Sequence, residues 1–180
     1  TEAGLGVNNR GTLAAQKGAW TLTTEGQLIN MGRIQAQGDL TVHAAGSIEN
    51  TGASAVMSAQ GNTAVQSFGS IANTTGATLT AAGTLTAATQ GTLDNTASTL
   101  AANGAIQITA AADVLNNRGS LVSMQSDIAV DAARIDNTDG TALAHGNVTL
   151  HASQRVDNTN GTLSAGQQLA VRDSGAARAL

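Results

Sequence analysis

Cysteine, proline and tyrosine are absent from this sequence, and 180 residues contain one Trp (Trp20) and one Phe (Phe68). Without cysteine there is neither a disulfide framework nor thiol chemistry, a composition compatible with export through an oxidising compartment. Without proline, no residue is barred from donating its amide to a β-ladder. The scarcity of aromatics excludes a core of clustered rings. The apolar residues are mostly Ala, Leu, Ile and Val, which suit a thin core built from many small layers. Charge is also sparse, with 8 basic and 12 acidic residues and a net charge of −4. Arg10, Lys17, Arg33, Arg118, Arg134, Arg155, Arg172 and Arg178 are scattered rather than striped, so nucleic acid is not an expected partner. No apolar run approaches the ~18 residues of a membrane-spanning helix, so no membrane insertion of this segment is expected. Thr1-Glu2-Ala3-Gly4-Leu5 lacks the character of a signal peptide. The pattern described next is already running at Val7 and is unfinished at Leu180. Residues 1–180 therefore read as a single repetitive segment excised from a longer chain.

What is present is a repeat. Asn9, Asn30, Asn50, Asn73, Asn95, Asn117, Asn137 and Asn158 recur at intervals of 20–23 residues. A Gly follows most of them after two or three positions (Gly11, Gly32, Gly52, Gly76, Gly119, Gly140, Gly161), with Ser98 in its place once. Three apolar segments lie between anchors. The first is led by Leu13, Ile34, Val56, Leu79, Leu100, Leu121, Leu143 and Leu163. Two residues later comes a small side chain: Ala15, Ala36, Ser58, Ala81, Ala102, Ser123, Ala165 and, exceptionally, His145. The second segment alternates as Trp20/Leu22, Leu40/Val42, Thr63/Val65, Leu85/Ala87, Ile106/Ile108, Ile128/Val130, Val148/Leu150 and Leu169/Val171. The third is one apolar residue two places before the next Asn: Leu28, Ile48, Ile71, Leu93, Ile135 and Val156, with Leu115 in a slightly shifted register.

Period two indicates strands with one buried face, and the β-branched residues favour the same conformation. Each unit is too short for a hairpin-based blade. The expected fold is all-β: a parallel β-helix (solenoid) of about eight rungs of 20–23 residues, with three short strands per rung. At an inter-strand spacing of about 4.8 Å, the rod measures roughly 35–40 Å. A rung buries its apolar side only by stacking on its neighbours. Gly at the corners is expected to supply positive φ. Asn tolerates left-handed backbone. If it points inward, its amide can also bond the amides above and below, so the Asn column is expected to be a structural ladder. Exposed rod edges invite further pairing, so an isolated piece should need caps or a partner at each end.

Units such as Ile135-Asp136-Asn137-Thr138-Asp139-Gly140 and Val156-Asp157-Asn158-Thr159-Asn160-Gly161-Thr162-Leu163-Ser164-Ala165-Gly166 resemble the repeats of filamentous haemagglutinin-type exoproteins. That group includes large adhesins and contact-dependent growth-inhibition toxins of Gram-negative bacteria. The resemblance covers nearly the whole chain. It implies a right-handed β-helical shaft, export by two-partner secretion through an outer-membrane transporter, and release or display at the cell surface. Receptors on host cells or target bacteria would be engaged by other regions. No Asn-Pro-rich secretion motif, compact toxin region or Arg-Gly-Asp tripeptide is visible here. The expected role is a spacer holding distal receptor-binding or toxin parts away from the cell. The alternative is a binding module whose β-face itself contacts glycan, receptor or another filament.

Candidate chemistry is thin. The residue before each anchor should face outward, giving Asn8, Ile29, Glu49, Ala72, Asp94, Asn116, Asp136 and Asp157. Asp136 and Asp157 would then lie one rung apart, about 5 Å between backbones, where two carboxylates can bind a cation or share a proton. No third acid completes a cage in that column, so the expectation is that they diverge into water. His43 and His151 share a column about 24 Å apart, too far for one metal. The outer column Thr21, Thr41, Ala64, Thr86, Gln107, Ala129, Thr149 and Ala170 is too broken for an ice-binding array. Uniform rung lengths leave no loop to build a catalytic cleft. Neither enzyme, metal nor cofactor is expected, and Trp20 is expected to be core.

Overall fold

A computed structural model describes residues 5–174; Arg178 and Leu180 lie outside the described residues. Every regular element among them is a β-strand. The strands stack, all in parallel, into a solenoid of about eight turns. The first strands, from Thr12–Ala15 to Thr162–Ala165, form an eight-stranded sheet in sequence order. The second and third strands stack on the other two sides. They join into one fourteen-stranded sheet because the strands Ile128–Asp136 and Val148–Asp157 run through the corner between them.

The second strands stack in the expected register, from Trp20↔Leu40 through Leu85↔Ile106 to Val148↔Leu169. Leu40, Leu85, Ile106, Ile128 and Val148 are fully buried, each worth about 1.5–3 kcal/mol relative to exposure. Trp20 is half-buried and packs against this core.

Three apolar and small-residue columns within the strands differ from the sequence reading. In the first strand, Met57 stacks between Ile34 and Leu79, so Val56 faces out. Likewise Ala142, not Leu143, follows Leu121, and Leu143 is 44% exposed. The small-residue column accordingly contains Ala59 and Ala144 rather than Ser58 and His145. The size of Leu143 favours burial, but shifting the strand by one residue turns every side chain over. That shift would place the His145 imidazole in the slot between Ser123 and Ala165. In the third strand, Val114 pairs with Leu93 and Ile135, while Leu115 sits outward between Asp94 and Asp136.

The corners explain the variable spacing. Immediately before the first strand the stacked residues are Gly11, Gly32, Ala55, Ala77, Ser98, Gly119, Gly140 and Gly161. Gly52 and Gly76 do not belong to this column. They are part of the longer corners of the third and fourth rungs and adopt φ of 100° and 81°. At the same corner of the later rungs the left-handed residue is the one just before this column, at Ala97, Arg118, Asp139 and Asn160. Gly119, Gly140 and Gly161 are needed for another reason. A Cβ at any of them would overlap a carbonyl oxygen of the adjacent rung.

Candidate functional site

The recurring Asn side chains form a continuous amide ladder through the rod. Asn9 Nδ2 donates to Asn30 Oδ1 at 2.7 Å, Asn30 to Asn50 at 2.7 Å and Asn50 to Asn73 at 2.7 Å. Asn73 donates to Asn95 at 2.8 Å and Asn95 to Asn116 at 2.7 Å. Asn116 donates to Asn137 and Asn137 to Asn158, each at 2.6 Å. The Nδ2 groups also reach backbone oxygens beyond, as from Asn50 to Thr78 O at 3.0 Å and from Asn116 to Thr141 O at 3.0 Å. The carbonyl and both N–H bonds of an interior amide are thereby occupied, which a buried amide requires.

The sixth member is Asn116, not Asn117. Asn117 lies in the turn, with its Oδ1 buried and lacking a hydrogen-bond partner. The two Asn are adjacent, so the interval from Asn95 does not separate them. The corner does: Asn116-Asn117-Arg118-Gly119 matches Asn137-Thr138-Asp139-Gly140 residue for residue, with Arg118 and Asp139 both left-handed.

Two further relays were not found in the sequence. At the corner before the second strand, Asp39 Oδ1 accepts from Asn62 N at 2.7 Å, and Asn62 Oδ1 accepts from Thr84 N at 2.8 Å. Asp127 and Asn147 repeat this at 2.6 and 3.1 Å. Their signal is an Asp or Asn directly before an alternating strand. At the third corner, Ser47 Oγ accepts from Ser70 N and Ser70 Oγ from Thr92 N, both at 3.2 Å.

Asp136 and Asp157 do stack side by side. Each binds its own corner. Asp136 Oδ1 accepts from Thr138 N and Oγ1 at 3.0 and 2.7 Å, and Asp157 Oδ1 accepts from Thr159 in the same way. Asp157 Oδ2 also accepts from Arg155. Beside them Arg134 forms a two-pronged pair with Asp113, at 3.0 and 2.7 Å. These groups line an open depression of about 240 Å³ with Leu115 and Ile135. The hydroxyl of Thr159 and then its backbone N–H hold Asp157 below the ordinary carboxylate pKa, with Arg155 adding to the effect and partial desolvation opposing it. Hydrogen bonding to Asp113, followed by its charge, raises the Arg134 pKa. The arrangement is two ion pairs flanking Asp136, in which each carboxylate already has donors.

His43 and His151 occupy one outward column, and His151 Nδ1 lies 3.2 Å from Asp131 Oδ2. His145 is exposed in a turn. Among the described residues no group of three or more His, Cys, Asp or Glu side chains is placed to hold a metal ion. Among the same described residues no helix is long and apolar enough to cross a membrane. Among the exposed large apolar side chains, which include Leu5 and Met124, Phe68 is the aromatic one, 73% exposed at the corner after the second strand.

A parallel solenoid with an internal amide ladder defines a segment built from stacked repeats. Residues 1–121 and 88–173 match the family model described as haemagglutinin repeat, and the chain belongs to that family. It is a filamentous haemagglutinin-type repeat region. A 52-residue stretch, 29% of this chain, is 40% identical to Toxin CdiA of Yersinia pestis. The match spans 2% of that relative's length. No solved structure matches the chain.

Proposed function

We propose that this chain is a rigid spacer within a longer exported protein of Gram-negative bacteria, either an adhesin or a contact-dependent toxin-delivery protein. The observation that carries this reading is the unbroken stack of rungs, locked by the Asn ladder with no interruption from Asn9 to Asn158. A solenoid whose rungs contact only their neighbours transmits position along its axis. The haemagglutinin repeat match and the similarity to Toxin CdiA support placement in a secreted or surface-displayed protein. Under this reading the chain leaves the cell through an outer-membrane transporter of the two-partner-secretion kind and performs no catalysis. Other parts of the longer protein engage the receptor or carry the toxin.

The absence of native cysteine allows a direct test of stiffness. Thr21 and Ala170 lie in one outward column, seven rung steps apart. Thr21→Cys/Ala170→Cys carrying spin labels should give a narrow distance distribution centred near 34 Å, from seven steps of about 4.8 Å. A broad distribution spanning tens of ångströms would rule out a rigid spacer.

A further inference from the structure

What His151 meets on its outward column is a carboxylate, not a second histidine. The column reads Thr23, His43, Gln66, Ala88, Thr109, Asp131, His151 and Arg172. Asp131 and His151 are direct partners in the stack, and both side chains stand in solvent. His151 Nδ1 lies 3.2 Å from Asp131 Oδ2. A charge-assisted hydrogen bond between nitrogen and carboxylate is shorter, about 2.7–2.9 Å. Two ligands on one edge of a tetrahedral zinc ion are farther apart. Bonds of about 2.0–2.2 Å to nitrogen and oxygen place those ligands about 3.4 Å from each other. The observed separation is within about 0.2 Å of that edge.

The surroundings suit a hydrated cation. The pair opens on a depression of about 270 Å³ that Gln107, Thr109 and Thr149 also line and that no Lys or Arg lines. The amide and hydroxyl oxygens there can accept from waters filling the remaining positions on an ion. Arg172 lies beyond His151, two rung steps from Asp131, about 9.6 Å between backbones. The carboxylate therefore sits on the side of the pair away from that charge. One imidazole nitrogen with one carboxylate oxygen suits a borderline divalent transition ion, whereas magnesium and calcium take oxygen ligands. An exposed ion pair contributes little to stability, so the fold does not depend on these two side chains binding each other. We propose that Asp131 and His151 form a two-residue surface site for a divalent transition-metal ion of the zinc class. Water completes the coordination, so the ion is exchangeable and keeps open positions. The site stands on the outward face of the second strands and is independent of the spacer role.

The test is titration of the untagged full chain with zinc, followed by imidazole nitrogen NMR and by calorimetry. His151 Nδ1 should shift along a one-site isotherm, while His43 and His145 stay near their metal-free positions. Magnesium at the same concentrations should leave all three unmoved. Asp131→Thr and His151→Gln should each weaken zinc binding about tenfold or more, a loss seen even for partners that only orient a ligand. Thr109 and Gln66 already place these residue types in the column, so both variants should keep the parent unfolding temperature. Failure of His151 to shift with zinc would overturn the proposal. So would equal shifts at all three histidines, an equal response to magnesium, or undiminished zinc binding by Asp131→Thr.

Discussion

At the residue scale, the Asn column is an obligation shared between neighbours. Asn95 is fully buried, donates to Asn116 and accepts from Asn73. Asn95→Ala therefore leaves one buried donor and one buried acceptor without partners, at about 1–3 kcal/mol each. Urea unfolding should show a loss of about 2–6 kcal/mol, whereas the outward Thr149→Ala should stay within about 0.5 kcal/mol. The same measurement separates the adjacent pair, since Asn116→Ala should match Asn95→Ala and Asn117→Ala should fall well short of it. Asp157 makes a different kind of contribution. Its folded pKa lies below the unfolded value, so its stabilisation is present above the unfolded carboxylate range and is lost as pH falls through the folded value. NMR titration should place its midpoint below that of an unfolded Asp, and Asp157→Asn should flatten the acid limb of stability over that window.

At the scale of the element, the strand and its corner carry different information. The second strands were legible throughout, because strict alternation over five residues leaves one register in which the apolar side chains face in. The first strands are shorter, and their register is set by the corner before them. The apolar pattern alone placed Leu143 rather than Ala142, and Val56 rather than Met57, in the inward column. The backbone obeyed the corner count instead. Phe68 had no repeated signal and the Asp39–Asn62 relay an interrupted one, because outward columns are free to vary from rung to rung. The glycines make the same point about corners. Gly140→Ala would overlap the Asn116 carbonyl, whereas a Cβ at Gly11 meets nothing within 4 Å. Thermal denaturation should show Gly140→Ala losing about 2 kcal/mol or more and Gly11→Ala nearly neutral or slightly stabilised, by up to about 1 kcal/mol.

At the scale of the whole molecule, the rung is the unit that can be removed. Deleting residues 96–116 joins Asn95 to Asn117-Arg118-Gly119, restoring an equivalent corner and keeping every other column in phase. That variant should retain its β circular dichroism and a cooperative transition. Deleting 96–105 removes a first strand and joins Asn95 to Ile106, so it should lose cooperative unfolding. Both follow from stability being a sum over rungs and their interfaces. The ladder adds something that neither rung count nor burial conveys. Each side-chain amide from Asn9 to Asn137 donates to the amide of the next rung, ending on Asn158. The rod is therefore vectorial, like an arrow rather than a dowel. Two such columns can be continued into one another tail to nose, where a donor meets an acceptor. Nose to nose, like would face like across the junction, so the amide column itself continues across a junction in one direction only.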